Sequence, residues 1–241
     1  MADPSYFDPW SSRNMNRWDP ATPDVPARRS HADVEAIQAA YESGLVFRGR
    51  IEVPIINWHP YLEHKLDMHN VHQAFAARKR ILNEMGDAGH QVIWFTETRG
   101  APSTFDQRPM ALEVMDEWMA NIRANPAAGI AANRPAKAVD SCFDIDGSVL
   151  AAGEGVWGGI LNTQPKGACT LAFPIYSTSR MVAGGPIEGG VFKCALKPVD
   201  AALADGTYGS WTPNFVQLNR LYAIFPEGVC DWSKPDQGRP S

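Results

Sequence analysis

Long apolar runs are missing from this 241-residue chain; none approaches the roughly 18 residues needed to cross a bilayer. The start, "MADPSYFDPW", has no basic segment leading into an apolar stretch, so no export or insertion by a signal of its own is expected, and no membrane partner. A basic excess is missing too. Lys and Arg number 22 against 27 Asp and Glu, a formal net charge of -5. A nucleic-acid binder needs clustered cations to neutralise phosphates, so no nucleic-acid partner is expected. Cysteine is scarce: Cys142, Cys169, Cys194 and Cys230 all lie in the last hundred residues, with no CxxC spacing and no histidine after His90. That pattern argues against a zinc site. The four form either two disulfides, as their Gly/Pro-rich surroundings favour, or reduced core residues. Fixed-period repeats and low-complexity tracts are absent.

What is present divides the chain in three. Residues 1–29, with Phe7, Trp10 and Trp18 among many Pro, Asp and Arg, have no sustained period and read as an extended aromatic arm. Residues 30–124 alternate helix and strand. Ser30 opens a capping-box-like "SHAD" with Asp33, Val34, Ile37, Ala40 and Tyr41 follow at helical spacing, and Gly44 closes the run. A β-branched segment from about Ile51 to Trp58 reads as a strand, with Pro54 marking an unpaired or bulged edge. A second helix ends at Gly86, with Val71, Phe75, Leu82 and Met85 inward and Arg78, Lys79 and Glu84 facing water. "GHQVIWF" reads as a buried strand. A third helix, Asp106 to Ile122, turns Leu112, Met115, Met119 and Ile122 inward. This order predicts a parallel α/β sheet with crossover helices. A complete parallel sheet has more strands than the two or three visible, so the segment reads as the tail of a doubly wound domain. Residues 125–241 break into short apolar pieces among Gly and Pro, an irregular β-rich extension.

The chemistry concentrates in "NWHPYLEHKLDMHNVH", with His59, His64, Asp67, His69 and His72 close together. On the plain reading Asp67 or Asn70 caps the second helix, His69 and His72 occupy its first turn, and His59 and His64 sit in a polar loop. A metal reading would use two or three imidazoles with Asp67, but the spacings match no familiar scheme. The catalytic reading rests on position, because reactive groups in open α/β sheets gather at the carboxyl ends of strands. There a carboxylate can orient an imidazole that exchanges a proton with a nucleophile. Asp67 and His69 fill those roles, although residues two apart rarely pair directly. A nucleophile motif is lacking: "GSVLAAG" and "YGSW" do not fit G-x-S-x-G. The loop after "QVIWF" holds no histidine, and Glu97 is its only strong base. "DIDG" (144–147) lacks the downstream ligands of a calcium loop, and "AGGPIEGG" and "GEGVWGG" lack the Lys-Ser/Thr of a phosphate loop. No cofactor is indicated.

The order "AIQAAYESGLV", "VPIINWHPYLEHKLDMH", "FAARKRIL", "QVIWF", "SRMVAGGP", "KCALKPV", "FPEGVCDWSKP" resembles the carboxyl-terminal half of a bacterial secreted family of unknown function, itself α/β-hydrolase-like and distantly similar to tannases and feruloyl esterases. The resemblance implies a partial α/β-hydrolase-like sheet and an extracellular or periplasmic location. It implies a small-molecule ester or polymer as substrate, and an upstream half of the domain as the partner that carries the serine. Asp67 and His69 match its polar motif, and the four cysteines fall where its members place paired ones. The alternative function is a non-catalytic module that presents Trp10, Trp18, Trp157, Trp211 and Trp232 to a carbohydrate or polymer.

Overall fold

The computed structural model describes residues 32–100 and 105–240; the arm expected over 1–29 and the Ser30 cap lie outside them. In chain order the longer elements are α1 (Val34–Glu42), β1 (Ile55–Pro60), α2 (His72–Met85), β2 (Gln91–Thr96), α3 (Gln107–Ala124), β3 (Ser141–Phe143), β4 (Val149–Ala152), β5 (Ala195–Lys197), α4 (Val199–Ala204), α5 (Phe215–Ile224) and β6 (Val229–Asp231). They form two compact units: Phe47–Thr178 with Ile187–Gly189, and the remainder.

The larger unit is a mixed α/β structure around a four-stranded sheet in the order β1-β2-β3-β4. β1, β2 and β3 run parallel, and β4 pairs antiparallel with β3. β2 is buried along its whole length, as a parallel strand covered on both faces must be. On one face Val92, Trp94 and Phe143 meet Ala111, Val114 and Trp118 of α3. On the other, Ile93, Phe95 and Cys142 meet Ala74 and Phe75 of α2 together with Val71, Trp157 and Phe173. Each large side chain so buried contributes roughly 1.5–3 kcal/mol. The buried indoles of Trp94, Trp118 and Trp157 donate to the carbonyls of Val139, Ile130 and Ile93, so none of the three loses its hydrogen bond on burial.

Two expected helix faces need correction. α3 turns Ala111, Val114 and Trp118 inward and leaves Leu112 72 % exposed; both sets share the helical period, and the larger area of Trp118 selects the frame. Arg78 does not face water. Its side chain is 13 % exposed and forms a forked pair with Asp140, Nη2 to Oδ1 at 2.8 Å, while Asp140 also accepts the Ile93 N–H. The pair ties α2 to the strand ends.

The sheet also extends past the limit expected near residue 124, because β3 and β4 belong to it. Their connection contains "DIDG", which is a turn: Asp144 and Gly147 are bonded across it and Gly147 has φ +88°. A Cβ at Gly147 would stand 2.5 Å from the Phe105 ring. Beyond Thr178 the described residues hold more helix than strand, so the later part of the extension is not β-rich.

Among the described residues β1 is an edge strand. The Ile55 and Tyr61 N–H groups donate to His90 and Thr96 across to β2. The alternation of a parallel ladder then turns the backbone groups of Ile56, Trp58 and Pro60 away from it. Pro60 forfeits no ladder bond at that position.

In the smaller unit Asp33 caps α1 by accepting from Ala36. Tyr41 donates to the buried Asp236 carboxylate at 2.7 Å, which also accepts the N–H groups of Phe192 and Lys193. α1 therefore groups with the carboxyl-terminal region and not with β1. β5 and β6 pair antiparallel and are joined by the Cys194–Cys230 disulfide. Val199, Ala202 and Val229 form the core beneath α4 and α5.

Candidate functional site

The chain leaves the carboxyl end of β1 through Tyr61, which is 2 % exposed and donates its hydroxyl to Pro174. Burial, and then the neighbouring Glu63 charge, push that phenol up to about 12. A single 3-10 turn, Glu63–Lys65, ends at Leu66 with φ +53°, the left-handed region that a leucine rarely adopts. Asp67, Met68, His69 and Asn70 follow, and α2 begins at His72.

Asp67 and His69 are brought together. Asp67 Oδ1 accepts the His69 backbone N–H at 2.8 Å and lies 2.9 Å from His69 Nδ1. The expectation that residues two apart do not pair fails here because the aspartate makes an Asx turn, which curls the chain until the imidazole meets the same oxygen. The Asp67 carboxyl is held below the ordinary aspartate range, first by the His69 backbone N–H and then by its ring. The pair is accessible: the side chains are 36 % and 78 % exposed for Asp67 and His69. Among the described residues no hydroxyl or thiol hydrogen-bonds to His69, and every cysteine is disulfide-bonded.

The other histidines do different work. His59 lies in β1, edge-on to Phe95 at 6.2 Å, and burial lowers its pKa. His64 stacks on Tyr61. His72 is 5 % exposed, and burial, then the Arg80 charge, lower its pKa. No group of three or more metal-binding side chains occurs among the described residues.

Two features escape a sequence reading. Neither Asp67 nor Asn70 caps α2. The Val71 N–H is accepted at 2.8 Å by Oε1 of Glu63, whose side chain is buried, and burial pushes that carboxyl up. After β2, Glu97 is no free base: Arg99 grips it through Nε at 2.9 Å and holds its carboxyl below the ordinary range. The same guanidinium lies 4.9 Å from the Tyr61 ring centre and 5.5 Å from that of Phe173.

The cysteine alternatives resolve to two disulfides, Cys142–Cys169 and Cys194–Cys230, with Cα separations of 5.7 and 5.3 Å. Of the aromatic platform, Trp157 is buried in the core at 6 % exposure, Trp211 is 45 % exposed, the Trp232 indole donates to Ala183, and Trp10 and Trp18 lie outside the described residues.

The model of a tannase-like family of unknown function (DUF6351) matches residues 14–241. The chain belongs to this tannase-like family. No curated protein and no solved structure matches it. The family's own description leaves its chemistry open.

Proposed function

We propose that Asp67 and His69 are the acid–base pair of an ester-hydrolysing site whose serine nucleophile comes from polypeptide outside this sequence, an upstream half of an α/β-hydrolase-like domain. The observation that carries this reading is the 2.9 Å contact between Asp67 Oδ1 and His69 Nδ1 on an exposed loop at the carboxyl end of a parallel strand. With Nδ1–H donated to the carboxylate, Nε2 is the basic ring nitrogen. It takes the proton of an attacking hydroxyl, Asp67 stabilises the imidazolium, and the same proton passes to the leaving alcohol. The tannase-like membership supports an ester as substrate, small-molecule or polymeric. Two disulfides are compatible with an extracellular or periplasmic protein, and no described helix is long and apolar enough to cross a membrane.

The test measures hydrolysis of short p-nitrophenyl esters by this chain alone and mixed with the protein encoded directly upstream, then with Asp67→Asn and His69→Ala. Activity in the mixture that both substitutions remove is the expected result. An active mixture indifferent to both would sink the assignment.

A further inference from the structure

Glu63 is a buried carboxyl group that the chemistry above leaves unused. Its side chain is 2 % exposed, Oε1 accepts the Val71 N–H, and Oε2 is buried without a hydrogen-bond partner among the described residues. Native structures seldom leave such a group inside without a task.

We propose that Glu63 is a positioning residue that holds the loop in the geometry where Asp67 meets His69, acting through the backbone of Val71; this rests on reading that pair as an acid and a base. Three observations converge. Glu63 pins both ends of the loop, since its carbonyl accepts the Leu66 N–H at 2.9 Å and its side chain accepts the Val71 N–H eight residues on. It also removes a competitor. The first N–H groups of a helix attract the nearest Asp or Asn side chain, and Asp67 and Asn70 are the capping types beside α2. Because Glu63 takes the Val71 N–H, the Asp67 Oδ1 oxygen stays with His69. Finally, Leu66 sits in a left-handed conformation that persists only where its surroundings over-determine it, and Glu63 supplies that anchor. A mere helix cap would stabilise α2 without deciding which nitrogen of His69 carries the proton.

The tautomer of His69 is therefore the readout. In the full chain, labelled with 15N-histidine and held above the imidazole titration, wild type and Glu63→Gln are expected to show the Nδ1–H form, because the amide oxygen still accepts from Val71. Glu63→Ala, and Glu63→Asp with its shorter reach, are expected to shift to Nε2–H, with fast amide exchange at Val71. Ester turnover in the mixture with the upstream protein should fall in kcat by about 10–100-fold with little change in KM. Should the alanine variant fail to fold, the aspartate variant carries the comparison. Retention of the Nδ1–H form in Glu63→Ala or Glu63→Asp overturns the proposal, as does its loss in Glu63→Gln. If the tautomer responds as expected while no ester is hydrolysed by any mixture, the positioning stands and the esterase reading falls.

Discussion

The loops that follow β1 and β2 start from neighbouring parallel strands and treat their charges in opposite ways. After β1, a buried Glu63 grips backbone while Asp67 and His69 stand outward in contact with each other. After β2, Glu97 and Arg99 close on themselves, and the guanidinium lies over Tyr61 and Phe173. Position at a strand's carboxyl end therefore does not by itself make a reactive group. What distinguishes the first loop is that its capping duty is carried by a distant buried carboxyl, which leaves an aspartate and an imidazole unspent.

Removing His69 and Glu97 in turn separates the two loops most strongly. In the mixture with the upstream protein, His69→Ala should lower ester turnover by about 10⁴-fold, whereas Glu97→Gln should leave it within a few-fold; kcat/KM for both variants checks this. Next comes stability. Arg99→Ala strips the partner of a mostly buried Glu97 carboxylate and uncovers Tyr61 and Phe173. A loss of about 2 kcal/mol is expected, read from the urea midpoint, and a change below a few tenths would show that loop to be ornamental.

The two glutamates should also respond to pH with opposite sign. Glu97 is depressed by Arg99, so the stability it contributes is present above its unfolded pKa, roughly 4.3, and is lost as pH falls through its lower folded value. Burial raises Glu63, so its contribution is present below the unfolded pKa and is lost as pH rises through its higher folded value. Melting curves from pH 3 to 8 should show the acid-side loss shrink in Arg99→Gln and the loss on raising pH shrink in Glu63→Gln. Losses that shrink at the same end of the pH range in both variants would overturn this difference in sign. The smallest effect is at Leu66, which is 82 % exposed at φ +53°. Leu66→Gly should stabilise by about 0.5–1 kcal/mol through relief of that conformation, seen as a melting point higher by a few degrees.

Much of the sheet was legible because periodicity and caps act locally. β2 and α3 lie close to where the apolar runs place them, Asp106 being the cap of α3 and not its first residue, and Gly86 closes α2 as expected. The inward face of α3 was read one residue out of register, since Leu112, Met115 and Met119 repeat as regularly as Ala111, Val114 and Trp118. Arg78 was assigned to water because its partner Asp140 lies 62 residues away, and no local pattern announces such a pair. At the site, Asp67 and His69 are conspicuous as residue types. Glu63 is not, because a side chain that bonds to backbone leaves no signature in the identity of its partner. The region after residue 124 reads as irregular since two disulfides and a carboxylate bonded to backbone, Asp236, replace long periodic elements there.

The prolines around β1 have a consequence for handling the protein. Pro60 falls where an N–H would point off the edge that β1 leaves open among the described residues, and Pro54 brings no N–H just before it, so a second chain laid along β1 finds edge donors only at Ile56 and Trp58. Fibril growth needs an unbroken stretch of about six or seven residues without proline. An edge punctuated in this way offers two rungs, and concentrated stocks should resist edge-to-edge polymerisation even though no described strand covers it.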